Sequence, residues 1–342
     1  MEGMTFKEHV SLAPHTTFMV NVSARYFAEV HSVSDIRDLV TNPLWQSERH
    51  YILGGGSNLL IRADLDGIVV KNLIDGIDVV DEDDTSIFLR VGAGVVWDDL
   101  VRWTTERDLW GIENLVLIPG SVGGAVVQNI GAYGVEVSSV VATVEAVDLS
   151  SGKELSFTNE ACQFSYRSSV FKSSILQYLV SYVTLRLSKS AHPVLTYPRV
   201  LEDLQARGSA EHPSPKDLAE VIANIRRSKL PEVGEIGMAG SFFKNPVVTR
   251  EQADELKVRY PDMPRFDLPD GSVKIPAGWV IETLGYKGYR DGNVGTYDKH
   301  ALVLVNHGGA SGHEVWNLAE KIMNDARESL GMNLEPEVVL LP

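Results

Sequence analysis

Residues 118–134 read IPGSVGGAVVQNIGAYG, with five glycines (Gly120, Gly123, Gly124, Gly131, Gly134) set among Val, Ile and Ala. Flexible linkers pair glycine with polar side chains. Glycine alternating with apolar residues suits a buried or half-buried loop whose backbone bends sharply and lies close to something bulky. Bare backbone N–H groups can also cradle a phosphate. On this segment alone, a tight turn between two core strands and an anion cradle stand level. A second stretch, 53–60 (LGGGSNLL), tips the balance toward a ligand, because Gly54, Gly55 and Gly56 precede Ser57 and Asn58, whose side chains can donate hydrogen bonds to an anion. Neither stretch is a Rossmann fingerprint. LGGGSNLL lacks the third glycine at the required spacing and an acidic residue placed for a ribose, and no Gly-Lys-Ser/Thr makes a P-loop. A pyrophosphate-bearing cofactor would therefore be held by two separate loops.

With 342 residues, the chain exceeds one ordinary core and fits two or three domains. Its hydrophobic content of 44% and charged content of 23% are those of a globular protein. A formal net charge of −15 and a pI near 5.0 argue against nucleic acid and anionic membranes, which need a basic footprint. A small anion needs only a local positive cluster. Cys162 is the sole cysteine, which excludes an intrachain disulfide and a cysteine zinc site. It is expected as a small buried hydrophobe beside Phe164, and no metal site is expected. The N-terminus interleaves charged and apolar residues without a signal-type apolar core, and no run of about 18 apolar residues could span a bilayer. A cytoplasmic location is the expectation.

Periodicity predicts mixed α and β structure. Ser34 opens a helix over 35–40, and 51–53 forms a strand running into the first glycine stretch. Residues 86–95 form another strand, ended by Gly92 and Gly94. A helix then follows with Trp97, Leu100, Val101 and Thr104 on one face, stopped near Gly111. Residues 144–157 read as a hairpin around Ser150-Ser151-Gly152, and 178–188 as a strand with Leu179, Val183, Leu185 and Leu187 on one face. Pro193, Pro198, Pro213 and Pro215 mark a boundary region or a long functional loop. A helix starts at Ser214-Pro215 and buries Leu218, Val221, Ile222 and Ile225. Its last turn carries Arg226, Arg227 and Lys229, which complement the helix dipole and form the densest basic patch. The last helix opens with a capping box, Ser311 to Glu314, with Val315, Leu318, Ile322 and Met323 on one face, and ends at Gly331. Residues 334–341 close the chain as a strand carrying Glu335 and Glu337.

HTTF at 15–18, GGGSNLLI at 54–61, IPGSVGG and NIGAYG in the second glycine stretch, and FSYRSSVFK at 164–172 occur in this order. SKLP at 228–231, AGSFFKNP at 239–246, AGWVIE at 277–282, YKG at 286–288 and LEPEV at 334–338 follow. Together they resemble the UDP-N-acetylenolpyruvoylglucosamine reductases, flavoenzymes of bacterial cell-wall precursor synthesis. PVLTYPRV at 193–200 looks like the tyrosine-bearing loop of the longer class.

The resemblance implies an α+β chain with a PCMH-type FAD-binding fold of two subdomains over 15–190, split near 70. A smaller α+β substrate-binding domain over 191–330 follows, and 331–342 returns as a terminal strand to the active site. It implies non-covalent FAD, NADPH as reductant, and UDP-N-acetylenolpyruvoylglucosamine as substrate, with hydride delivered to C3 and a proton to C2. The FAD contacts it implies are Gly54, Gly55, Gly56, Ser57, Asn58, Pro119, Gly120, Gly123, Gly124, Gly131 and Ala132. Arg167, Ser241 and Glu337 take the catalytic positions, with Glu335 as a structural neighbour. A guanidinium suits an enolate-like intermediate beside a carboxylate, because it stays ionised and binds in bidentate fashion. A serine hydroxyl is a weak acid, yet it can protonate a strongly basic carbanion if the alkoxide is stabilised at once. Tyr197, Arg226, Lys229, Asn245 and Lys287 take the substrate positions, as an aromatic lid and phosphate-binding groups.

Three departures stand out: Gly124-Ala125-Val126 where some relatives carry serines and proline, Phe266 where a uridine-contacting tyrosine is found, and His300 in place of a glutamine. A different PCMH-type flavin oxidase or dehydrogenase would explain the glycine stretches but leave AGSFFKNP and Glu337 unused. A non-catalytic nucleotide-sugar binder would leave Arg167, Ser241 and Glu337 without purpose. No nucleic acid or membrane partner is expected, and a monomer is.

Overall fold

The computed structural model describes residues 4–174 and 177–342. They form two compact units. The first holds the N-terminal residues to Val10, Ala24–Gly55 and Leu65–Arg227; the second holds Ser11–Ser23, Gly56–Asp64 and Ser228–Pro342. The chain thus passes from one unit to the other inside the first glycine stretch. Among the described residues, no helix is long and apolar enough to cross a membrane.

In the first unit, a four-stranded sheet runs in the order Lys7–Ser11, Ser23–Val30, Leu65–Asn72, His50–Leu53. The last three strands are parallel, and their apolar runs feed a core with Ile36 and Leu39 of the Val33–Thr41 helix and with Trp45. That helix starts earlier than periodicity predicts. Ser32, not Ser34, is its cap: Ser32 Oγ accepts the Asp35 N–H at 3.1 Å, while the Asp35 carboxylate accepts the His31 N–H at 2.7 Å. A second, antiparallel sheet runs Glu154–Thr158, Val141–Asp148, Tyr178–Ser188, Ser86–Gly92, Ile77–Glu82. The expected hairpin at Ser150-Ser151-Gly152 is present, closed by the Asp148 carboxylate on the Ser150 and Ser151 amides, with Gly152 at φ +70°.

The pairing of Tyr178–Ser188 with Val141–Asp148 slips twice, between Val141 and Thr143 and again where Glu145 faces Tyr182 but Ala146 faces Val180; the second slip puts its extra residue on Tyr178–Ser188. Ser181 is the extra residue of a bulge, and side chains beyond it change face. Val180, Val183, Leu185 and Leu187 therefore enter the core under the second sheet, whereas Leu179 enters the core of the first with Val147 and Leu149. Strict alternation had put Leu179 with the other three.

The helix Trp97–Thr105 buries Trp97, Leu100, Val101 and Thr104 as its period requires, each large side chain worth about 1.5–3 kcal/mol. Cys162 is fully buried in the same core, where burial pushes its thiol up to about 11. Among the helices that periodicity does not place, two lie in segments that read as loops. Val122–Gln128 is helical inside the second glycine stretch, and Pro198–Arg207 is helical inside the proline-rich segment, closed by Gly208 at φ +74°. The latter packs Val200 and Leu204 on Leu218, Val221, Ile222 and Ile225 of the Pro215–Lys229 helix, with Trp110 beneath.

In the second unit, the antiparallel order Gly237–Met238, Leu304–Asn306, Val294–Thr296, Arg290–Asp291 forms one sheet, and Val247–Val248, Val273–Lys274, Phe266–Asp267 a smaller one. The capping box at Ser311 and Glu314 opens the helix Gly312–Leu330, whose Val315, Leu318 and Ile322 are buried, with Met323 half-buried, and Gly331 ends it at φ +65°. Gly312 lies so close to Ile61 O that a Cβ there would sit 2.0 Å from it. The C-terminal strand is shorter than the apolar run suggests. The regular strand is Val339–Leu341, parallel to Leu59–Ile61, while Glu335 and Glu337 precede it on either side of an isolated antiparallel bridge between Pro336 and Phe243.

Candidate active site

In the first unit the two glycine stretches meet backbone to backbone. A Cβ at Gly55 would lie 2.4 Å from Gly120 Cα, and one at Gly54 would lie 2.8 Å from Ser121 Oγ. Glycine at 55 is thus required by contact alone. The second stretch is mostly engaged with its own unit. Val122 N–H donates to Val95 O, Gly123 N–H to Ala93 O, and Gly124 N–H to the capping Ser121 Oγ at 3.4 Å. Gly123 is helical yet must be glycine, since a Cβ would meet Ala93 Cβ at 2.9 Å. What faces outward is Pro119 and Gly120, half-exposed, and Gly124, exposed. On the first stretch, Lys71 Nζ donates to Gly54 O, and the Gly55 N–H has no acceptor among the described residues. Bare backbone, an unanswered amide and a nearby ammonium fit an anionic dinucleotide.

Arg167 occupies the third position of a tight turn in which Ser165 and Ser168 exchange both backbone hydrogen bonds at 3.0 Å. Its φ is +56°, a left-handed conformation that disfavours any residue with a Cβ by about 1–2 kcal/mol. Such strain persists only where surroundings enforce it. Asn129 Nδ2 donates to Ser165 O at 2.9 Å and Lys172 Nζ to Arg167 O at 3.0 Å, while the guanidinium Nη2 donates to Gly131 O at 2.7 Å. Asn129 is itself fully buried and left-handed, at the C-cap of Val122–Gln128. Gly131 and Ala132 form a short strand paired with Val135–Glu136. The arginine and the residues expected at the flavin therefore share one braced corner.

Tyr197 packs edge-on against Tyr133 at 5.1 Å, and a Cβ at Gly134 would strike Thr196 Oγ1, so the tyrosine loop lies on the 131–134 segment. Arg226 Nη2 donates to Leu117 O at 3.2 Å, and its buried Nε has no partner among the described residues. Burial pulls the guanidinium below its ordinary value, with Tyr133 and Asp98 opposing, but an arginine remains a cation. An unanswered donor on a permanent cation is suited to a phosphate oxygen.

In the second unit, Ser241 follows Gly240 at φ +64° and is half-buried. The next residue is pinned on both sides: Phe242 N–H donates to Leu302 O at 2.9 Å, and Phe242 O accepts the Glu337 N–H at 2.8 Å. Phe243 bridges Pro336, and Lys244 N–H donates to Glu335 O. Ser241 and Glu337 therefore lie at one end of a single short antiparallel bridge. Glu335 is exposed and ion-paired with Lys244 at 3.2 Å, whereas Glu337 is half-buried. Asn58 clamps this bridge: its Nδ2 donates to Glu337 O at 3.2 Å, and its own carbonyl accepts the Val339 N–H at 3.0 Å. The side chain expected to face an anion thus also braces the segment that carries Glu337.

Lys229 is exposed at the end of its helix, and Lys287 pairs with Glu282 at 2.8 Å. Both act on His300, whose ring burial and these two lysines hold below the usual histidine range, against Glu282. Its Nδ1 accepts the Leu302 N–H at 3.3 Å, so His300 hangs from the residue that pins Phe242. Asn245 Oδ1 accepts the Ala277 N–H at 2.9 Å and caps the Ala277–Thr283 helix. Phe266 is exposed in a row with Lys274 and Val247, its ring 5.7 Å from Lys274 Nζ.

Residues 232–341 match the family model of the UDP-N-acetylenolpyruvoylglucosamine reductase C-terminal domain, and 24–158 match that of an FAD binding domain. The UDP-N-acetylenolpyruvoylglucosamine reductase of Pseudomonas aeruginosa is 42% identical over 335 residues, covering 98% of either chain. That of Azoarcus sp. is 44% identical over 334 residues and 96% of each. A solved UDP-N-acetylenolpyruvylglucosamine reductase from Thermus caldophilus shares the fold at a TM-score of 0.69 and 24% identity, over 99% of this chain and 100% of that one. The α+β architecture is accordingly that of a PCMH-type FAD-binding fold with a smaller C-terminal α+β region. By family model and by end-to-end identity, the chain belongs to the UDP-N-acetylenolpyruvoylglucosamine reductase family.

Proposed function

We propose that the protein uses NADPH and non-covalent FAD to reduce the enolpyruvyl ether of UDP-N-acetylenolpyruvoylglucosamine to UDP-N-acetylmuramate, for peptidoglycan precursor synthesis. The observation that carries this is the bridge that fixes Ser241 beside Glu337 in a chain matching its relatives end to end. FAD held by the two glycine stretches would supply the hydride chemistry, taking electrons from NADPH for C3 of the enolpyruvyl group. The chain's residues supply the rest. Arg167 offers a fixed charge to the enolate-like intermediate and its carboxylate. Ser241 gives the proton to C2, and Glu337 acts as an acid or polarises the substrate carboxylate. Arg226, Lys229 and Lys287 bind diphosphate oxygens, Asn245 adds an amide donor while capping its helix, and Tyr197 covers the nucleotide.

In this reading, residues 54–58 with Pro119, Gly120, Gly123, Gly124, Gly131 and Ala132 hold FAD, residues 15–190 form the cofactor domain, and 191–330 with the 331–342 tail serve the substrate. The amide offered to the pyrophosphate from the first stretch is that of Gly55, since those of Val122, Gly123 and Gly124 already have acceptors. The enzyme works in the cytoplasm as a monomer. Purified protein should be yellow, release its flavin on denaturation, and consume NADPH only when the enolpyruvyl substrate is added. A colourless protein, or NADPH consumption indifferent to that substrate, would contradict the assignment.

A further inference from the structure

Lys71 lies near the carboxyl end of Leu65–Asn72, directly after the apolar run Ile68-Val69-Val70, in the strand at the centre of the parallel sheet, opposite Glu29 on one neighbour and Leu53 on the other. It is half-buried, and its ammonium sits below the ordinary lysine range through burial, with Glu29 pulling the other way. Methionine or leucine would fill this place without desolvating a charge. What the amine does here is hold the Gly54 carbonyl, at 2.5 Å.

A trans peptide points its C=O and the following N–H in opposite directions. Pinning Gly54 O toward Lys71 therefore turns the Gly55 N–H away from it. That N–H has no acceptor among the described residues, and Gly120 leaves no room for a side chain at 55. Gly55 also lies two residues beyond the carboxyl end of His50–Leu53, the end of a parallel strand where open α/β sheets take their ligands. We propose that Lys71 is a positioning residue of the cofactor cradle: it sets the Gly54–Gly55 peptide so that the Gly55 N–H is offered to the FAD diphosphate, and it lends positive charge from behind that peptide. The proposal rests on the flavin reading above.

The test is the FAD dissociation constant of the full-length protein, freed of flavin and titrated by fluorescence quenching, beside the melting temperature of the flavin-free form. Lys71→Met should weaken FAD binding on the order of tenfold to a hundredfold, the range of one charge-assisted hydrogen bond. Lys71→Arg keeps donor and charge and should stay within about threefold of the parent. The parent's affinity should fall as pH rises through the range where this lysine deprotonates, Glu29 and its partner Lys7 being the facing charges, while the arginine variant stays flat. Unchanged FAD affinity in Lys71→Met would overturn the proposal. So would a loss shared by Lys71→Arg and matched by a drop in flavin-free melting temperature, which would make Lys71 structural. A parent protein that takes up no FAD would instead bring down the flavin reading itself.

Discussion

Arg167 sits at φ +56° in a turn held by neighbouring side chains, whereas Ser241 and Glu337 lie beside a rung of backbone hydrogen bonds. The first corner places its charge by compulsion: Asn129 and Lys172 force a conformation that arginine disfavours. The second places the proposed proton donor by ordinary strand pairing, which almost any side chain can satisfy. Residues around Arg167 should therefore resist substitution, while Ser241 can be changed with little structural consequence. Chemistry and stability are entangled in one region and separable in the other.

Ser241→Ala is the largest effect expected and the cleanest test of that separability. Reduction of the flavin by NADPH should proceed at the parent rate in stopped flow. Transfer to the enolpyruvyl substrate should slow by about 10²–10⁴-fold, the usual loss of a positioned acid or base. The melting temperature should hardly move. If both half-reactions slow together, Ser241 belongs to the architecture and the contrast between the two regions collapses.

A matched pair of brace removals sharpens the comparison. Asn129→Ala deletes a buried amide from the strained corner and puts alanine in a left-handed position, so it should lose about 2–4 kcal/mol of stability together with substrate turnover. Asn58→Ala removes one half-buried hydrogen bond to Glu337 O from the backbone-held bridge and should lose only about 0.5–1.5 kcal/mol. Denaturant midpoints measured side by side decide the matter; equal losses would show that the bridge also depends on its brace.

The smallest effect concerns His300. Burial, Lys229 and Lys287 lower its proton affinity in the folded state, so the unfolded chain binds the proton more tightly. Its contribution to stability is present above the ordinary histidine value of about 6.5 and is lost as pH falls through the lower folded value. His300→Gln should flatten that part of the stability-versus-pH curve. An identical acid limb in parent and variant would mean that His300 is not sensed.

Much of this was legible because the relevant patterns are local. Caps at Ser214 and Ser311, the Trp97 helix and the Ser150 hairpin each follow from a few neighbouring residues. The helix Val122–Gln128 was hidden because two glycines argue against a helix, and only the close approach of Ala93 makes one of them necessary. Leu179 was misassigned because a bulge depends on the partner strand. At the site, motifs supplied the residue names, but nothing in LGGGSNLL says that Asn58 reaches Glu337, some 279 residues away. Nor does AGSFFKNP say that Asn245 caps a helix. One local hint is the lysine that directly follows the apolar run GIVV at 67–70.

The bulge at Ser181 also governs how the first unit can come apart. A single strand, Tyr178–Ser188, donates Leu179 to one core and Val180, Val183, Leu185 and Leu187 to the other. Neither core can melt while this strand stays folded with its partner, so the two are one cooperative unit. Amide protons along the strand should exchange with solvent only through global opening, and the surfaces each core would expose if it opened alone stay hidden from proteases and from other chains.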